Sequence, residues 1–310
     1  MSPTVLFVAG LGRSGSTLID RLLGQVPGFC SVGELVFLWE RGLHGGQRCG
    51  CGEPLPSCPF WTEVGERAFG GWARVDPEAV RALQRRVDRN RYVPLMYAPW
   101  LSSSHRRLAR RYAEIEGRVY ESIAHTAGAS VVVDSSKHVS TSTLLRTVPG
   151  VDLRIAHLVR DPRGVAFSWQ RVVARPDVVG RAAFMDRIPP WRVSARWLGY
   201  NLSIDVLRRG RPGALVRYED FVAEPRRALS ELVSLAGLPR ADLSFLDAGG
   251  TALEVTHSVS GNPSRFEVGP AAIRPDEQWR RSMPTGARRL VTALTGPALV
   301  RYGYPLGSHG

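Results

Sequence analysis

Nowhere in these 310 residues does an apolar run approach the ~20 residues a helix needs to cross a bilayer, so no membrane span is expected. The N-terminus has no basic segment before its first apolar run, and that run, VLFVA, is too short for the apolar part of a secretory signal. It reads as a first buried strand, and the chain as cytoplasmic. Repeats and low-complexity linkers are also missing. With 44% hydrophobic residues, one large domain or two small ones remain. Cysteine is scarce: Cys30, Cys49, Cys51 and Cys58, the last three in RCGCGEPLPSCPFW. Cys-x-Cys with the third cysteine six residues on is poor spacing for a structural zinc finger, and a cytosolic chain argues against a stable disulfide. Packed thiols in a Gly/Pro-rich loop are the expectation, ahead of a metal or a disulfide.

Lysine is all but absent, since 40 of the 41 basic residues are arginines and only Lys137 is not. A compact, mobile ammonium differs from a rigid guanidinium fork, so the place of the one lysine is informative. Acidic residues number 28, leaving a formal charge of +13. Nucleic acid is not the expected partner. The arginines are spread through the chain rather than gathered in a stripe or tail, and aromatic–basic interleaving is missing. A polyanionic cofactor or an acidic substrate suits the charge better.

What is present is a series of short apolar runs alternating with helical patterns. Residues 5–9, 130–133, 153–159 and 214–217 read as strands. Between them, residues 16–25, 140–147, 164–174, 191–209 and 226–236 read as helices, and 35–128 as mostly helical, with 77–90 and 105–127 its clearest parts. Such alternation implies an α/β fold with a central parallel sheet flanked by helices on both faces. Ligands of these sheets bind beyond the carboxyl ends of the strands. The first three strands end in GLGRSGST, DSSKH and RDPRG. That coincidence marks a site.

The first of these ends, a strand running through glycines and small hydroxyls into a helix start, is built to hold an anion. Gly10-x-Gly12-x-x-Gly15 fits a dinucleotide fingerprint, and Gly10-x4-Gly15-Ser16-Thr17 fits a nucleotide P-loop except that Ser16 stands where the lysine belongs. A phosphosulfate is the third candidate. A dehydrogenase would need a second strand ending in an acid; Glu34 is at the right distance, but FCSVGEL is a weak strand with Gly33 before the acid. A kinase would need the loop lysine and an acid for magnesium; Asp134 imitates only the second.

RSGST, followed by VGE, DSSK and RDPRGVAFS, resembles the sulfotransferase family that uses 3′-phosphoadenosine-5′-phosphosulfate (PAPS), in its bacterial and tyrosylprotein-type branches. VRYEDFVAEPRRALSELVSLAGLP resembles the family's later strand and helix, and HSVSGNPSRF with DEQWR its closing segment. The resemblance implies a P-loop NTPase-like three-layer fold and a single domain over 1–310. Arg13, Ser14, Gly15, Ser16 and Thr17 would form the 5′-phosphosulfate loop, which needs no Walker lysine because no triphosphate or magnesium is held. Arg160 and Ser168, eight residues apart, would bind the 3′-phosphate. Tyr218 would lie near the nucleotide, and Asn262 and Arg265 would cover the 3′-phosphate, although GNPSR departs from the cytosolic branch's lysine-and-glycine loop.

Moving a sulfo group to a hydroxyl requires a base and a cation for the spreading negative charge. The resemblance makes Glu34, in SVGEL, the base, with His138 its competitor, and gives Lys137 and Arg13 the charge on the leaving side. Asp134 would orient its turn. The expected reaction uses PAPS without metal and releases adenosine 3′,5′-bisphosphate. Residues 35–128 and 175–190 are expected to form the acceptor pocket, for a hydroxyl of a natural product, sugar, lipid headgroup or peptide tyrosine. A P-loop small-molecule kinase using ATP-Mg is the alternative enzyme, and a non-catalytic bisphosphate-binding module the alternative binder. No motif identifies the acceptor or the oligomeric state.

Overall fold

A computed structural model describes residues 2–178, 182–247 and 250–307. The first half carries β1 (Thr4–Ala9), α1 (Ser16–Leu23), β2 (Phe29–Ser31), α2 (Pro59–Phe69), α3 (Pro77–Val87), α4 (Val93–Tyr97) and α5 (Ser103–Ala127). Next come β3 (Val131–Lys137), α6 (Val139–Leu145), β4 (Asp152–Val159), α7 (Pro162–Ser168), α8 (Pro190–Arg208), β5 (Gly213–Arg217), α9 (Tyr218–Ala223) and α10 (Pro225–Leu235). The chain closes with β6 (Leu246–Asp247), β7 (Gly250–Leu253), β8 (Gly269–Ala272), α11 (Gln278–Ser282) and α12 (Thr285–Arg301). Among the described residues no helix is long and apolar enough to cross a membrane.

Five parallel strands make the main sheet in the order β2-β3-β1-β4-β5. Its centre is buried on both faces because successive strand residues point to opposite sides. Val5, Phe7 and Ala9 of β1 pack with Trp61 of α2, Val87 of α3 and Tyr120 of α5. Leu6 and Val8 pack on the other face with Ile19 and Leu22 of α1 and with Leu229 and Leu232 of α10. A run apolar at every position, such as VLFVA, is what this two-sided burial demands. Local signals set several ends: Asp76 caps α3 by accepting from the Glu78 and Ala79 N–H groups, and Gly128, at φ 59°, stops α5.

The four longer strands lie where the apolar runs indicate. The differences have physical causes. FCS does form a strand, β2, but at the sheet edge and three residues long, too short to announce itself. DSSK continues β3 rather than turning away. The helix expected over 164–174 ends at Ser168, and the chain then doubles back through a bridge between Ala174 and Phe184. The small antiparallel sheet β6-β7-β8 and helix α12 were not expected. Gly286, Gly296 and Pro297 weaken the helical signal of α12, although Val291, Thr295, Ala298 and Leu299 do share its buried face.

Two buried carboxyl groups bring a pH dependence. Asp20, bonded to Ser31, and Glu116, which accepts from Trp39 Nε1 at 3.0 Å, are both pushed up to about 7 by burial. The folded chain therefore holds protons that the unfolded chain releases; the stability these groups supply is complete below the ordinary carboxyl range and is lost as pH rises from there through about 7. Glu116→Gln removes one such group. Its unfolding midpoint relative to the parent is expected to rise between pH 5 and pH 8; a pH-independent difference would contradict the assignment.

Candidate active site

The carboxyl ends of β1, β3 and β4 open into one cavity of about 930 Å³. The loop from β1 to α1 forms its floor through Arg13, Gly15, Ser16 and Thr17, while Ser14 is buried beneath and does not line it. Gly15, at φ 93°, is required twice over. Its backbone is left-handed, and a Cβ there would lie 2.5 Å from the Tyr218 ring. No side chain caps α1 and no acid stands in its first turn. Leu18 N–H donates to the Gly15 carbonyl at 3.1 Å, so the N–H groups of Ser16 and Thr17 are the ones left for a ligand, and the helix dipole favours an anion.

The end of β3 supplies a cation, and the stretch after β2 supplies its carboxylate partner. Between Asp134 and Lys137, β3 carries one residue more than its partner β1, a bulge that re-aims the side chain. Lys137 has φ 70°, and its Nζ reaches Glu34 Oε1 at 2.6 Å and the Ser135 carbonyl at 2.8 Å. The sequence reading set these two residues on different sides of the reacting group; here they form an ion pair. Glu34 is held from behind, its N–H donating to the Val259 carbonyl at 2.8 Å. Asp134 accepts from Ser136 N at 2.8 Å and from the Tyr120 hydroxyl, which ties down the turn. His138 also lines the cavity, with its ring edge-on to Phe37; burial lowers its pKa and keeps it neutral.

Arg160, just beyond β4, and Ser168, at the end of α7, face the same cavity. Arg160 Nη1 donates to the Arg13 carbonyl at 3.1 Å, Nη2 donates to Asp276 Oδ2 at 3.1 Å, and the guanidinium lies 4.5 Å over the Tyr218 ring. The neighbouring acid, Asp161, is taken instead by Arg163 at 2.7 Å. Tyr218 therefore sits between the loop and Arg160. Asn262 lines the cavity while its Oδ1 accepts from Ser264 N at 3.0 Å. Arg265 is a departure. It is 2% exposed, lies outside the cavity lining, and donates to the Ser258 carbonyl at 2.6 Å and the Arg48 carbonyl at 2.7 Å. Both of its Nη groups are engaged by backbone carbonyls away from the cavity, whereas the sequence reading set it over the 3′-phosphate.

Residues 3–242 match the family model described as "Sulfotransferase family". The chain belongs to the sulfotransferase family. It is 27% identical over 183 residues to carbohydrate sulfotransferase 3 of Mus musculus, covering 51% of this chain and 35% of that protein. To carbohydrate sulfotransferase 5 of Mus musculus it is 30% identical over 176 residues, covering 50% of this chain and 42% of the other. The matched segment thus spans less than half the length of these relatives. The fold is that of a sulfotransferase domain from the curacin biosynthetic pathway, with a TM-score of 0.52 and 20% identity over 98% of this chain and 99% of that one.

The sulfotransferase cavity has further walls that the sequence did not single out. Arg41 reaches in from a π-helical turn, Leu38–His44, stacked 3.6 Å over Phe37 and bonded to Ser260 Oγ at 2.8 Å. Arg13 lies 5.5 Å from the Trp169 ring and donates to Met185 Sδ; burial beside Arg171 lowers its pKa. Seven cationic side chains line the cavity (Arg13, Arg41, Lys137, Arg160, Arg171, Arg175 and Arg196) against three carboxylates, Glu34, Asp186 and Asp276. Within 35–128 only Phe37, Arg41 and Asn90 line it; α2, α3 and α5 build core instead. Residues 168–186 supply more of the wall, and of the 175–190 stretch, 179–181 lie outside the described residues. Among the described residues three non-glycines have positive φ: Arg13, Lys137 and Ser260. All three belong to this site or touch a residue that does, as stored backbone strain does at working sites.

Proposed function

We propose that this sulfotransferase takes its sulfo group from PAPS and passes it to an acceptor hydroxyl, with Glu34 as the base. The observation that carries the reading is the convergence on one cavity of a lysine-free anion loop, the Arg160–Ser168 pair and the Lys137–Glu34 pair. The residues suit the nucleotide. An uncapped helix start suits a 5′-phosphate, Arg160 with Ser168 suits a 3′-phosphate, and seven cations offset a polyanion. Glu34 accepts the hydroxyl proton as the oxygen bonds to sulfur and the phosphosulfate linkage breaks. Lys137 and Arg13 balance the charge left on the departing phosphate. Adenosine 3′,5′-bisphosphate and the sulfated acceptor leave, with the proton passed to solvent. A sugar hydroxyl is the acceptor we favour, because the curated relatives are named as carbohydrate sulfotransferases.

Adenosine 3′,5′-bisphosphate is expected to raise the unfolding midpoint without magnesium. At 100 times its Kd it adds about 2.7 kcal/mol by linkage, and ATP-Mg should do far less. Stabilisation by ATP-Mg or NAD with none by the bisphosphate would overturn the donor. Turnover with PAPS and a panel of sugars, read as bisphosphate release, tests the acceptor.

A further inference from the structure

Three of the four cysteines gather around one histidine. Cys49, Cys51 and Cys58 stand in the loop leading into α2, and His257 comes from the stretch after β7, about 200 residues later in the chain. Their sulfurs and the His257 ring nitrogen all lie within 4.8 Å of one another. Cys51 Sγ is 3.6 Å from Cys58 Sγ, and His257 Nδ1 is 3.3 Å from Cys58 Sγ and 3.8 Å from Cys49 Sγ. A tetrahedral zinc ion with Zn–S near 2.3 Å and Zn–N near 2.0 Å sets its ligands about 3.8 Å apart between sulfurs and about 3.5 Å from sulfur to nitrogen. These three separations lie close to those edges, and the remaining pairs fall within the 4.8 Å bound. A disulfide would need about 2.05 Å between sulfurs, and all the cysteines are free.

We propose that Cys49, Cys51, Cys58 and His257 form a structural zinc site that fastens the closing segment of the chain to the cysteine loop. Three thiolates and an imidazole are a soft donor set that selects zinc over magnesium or calcium. The four ligands fill the tetrahedron, which leaves no position for substrate and makes the role structural. The surroundings are shaped for it. Phe60 stacks on the His257 ring at 4.9 Å and 7°, and Trp61 Nε1 donates to the His257 carbonyl at 2.9 Å. Gly50 N donates to the Ser258 carbonyl at 3.0 Å, and a Cβ on Gly50 would lie 2.5 Å from the Thr256 carbonyl oxygen. None of the four residues lines the catalytic cavity.

The consequence reaches the active site through the backbone. Two residues beyond His257, Val259 pairs with Val32 and accepts from the Glu34 N–H, and Gly261 and Asn262 then line the cavity. The sequence reading stopped at packed thiols because the fourth member lies in HSVSGNPSRF, where sequence spacing cannot connect it to RCGCG.

The zinc claim stands apart from the choice of sulfo donor, and its test reads metal rather than turnover. The full chain, purified under reducing conditions from cells grown with added zinc, is expected to carry about one zinc per chain by elemental analysis. As the metal binds, the three thiols lose their protons to solvent. A thiol-modifying mercurial should therefore release zinc to a colorimetric chelator in step with the modification of three cysteines. Cys51→Ser, at a half-buried ligand, should weaken zinc retention at least about tenfold against a competing chelator. His257→Cys, which restores a four-thiolate set, should keep the metal. Stripping zinc should raise hydrogen exchange over residues 256–265. Zinc absent from the reduced protein, iron in its place, a Cys51–Cys58 disulfide by mass spectrometry, or retention unchanged in Cys51→Ser would each overturn the site.

Discussion

Glu34→Gln is expected to lower turnover by roughly 10²–10⁴, the range for loss of a general base, while bisphosphate affinity stays within a few-fold of the parent. The carboxamide oxygen can still accept from Lys137 Nζ, now 2.6 Å from Oε1, so the loop carrying the residue keeps its anchor. What is lost is the proton acceptor. His138→Ala is the control, because His138 lines the same cavity as a neutral ring. If His138→Ala abolishes turnover and Glu34→Gln spares it, the base is His138. Lys137→Ala should also reduce turnover, by removing the cation beside the reacting group. Lys137→Arg should restore little. Lys137 is 9% exposed at a left-handed position, and a planar fork cannot take the place of a point charge there. Recovery of full turnover in Lys137→Arg would show that only net charge matters.

Much of the frame was legible because it is written in local patterns. VLFVA and the VVV of SVVVD are continuous apolar runs, and LRIAHLV is apolar but for Arg154 and His157, as strands covered on both faces require, and the ends of those strands do meet at one cavity. Arg13, Glu34, Lys137 and Arg160 stand on strand ends or just beyond them, so topology gathers them, and one short helix, α7, brings in Ser168. What stayed hidden depends on long-range packing. Arg265 looks like a phosphate ligand in sequence, but the carbonyls of Ser258 and Arg48 claim it only once the closing segment folds back on the cysteine loop. Arg41 and Trp169 enter through a π-helical turn and an early helix end, neither of which leaves a periodic trace. Asp276 showed as part of DEQWR but not as the partner of Arg160.

That last contact makes the 3′-phosphate assignment testable in two directions. Arg160→Ala is expected to weaken adenosine 3′,5′-bisphosphate by about 1.5–3 kcal/mol, the loss of a charge-assisted hydrogen bond, or roughly ten- to a hundredfold in Kd. Adenosine 5′-phosphosulfate, which has no 3′-phosphate, should bind Arg160→Ala nearly as well as the parent. Asp276 accepts from Arg160 at 3.1 Å and so occupies a donor that the phosphate would use. Asp276→Asn removes that competition and a negative charge from the cavity wall, so it should tighten bisphosphate binding, with a smaller effect on the phosphosulfate. Titration calorimetry of both nucleotides against both variants separates the outcomes. Equal losses for the two nucleotides in Arg160→Ala would assign the arginine to holding the loop, through the Arg13 carbonyl, rather than to the 3′-phosphate. Weaker bisphosphate binding in Asp276→Asn would mean that Asp276 positions Arg160 for the phosphate instead of competing with it.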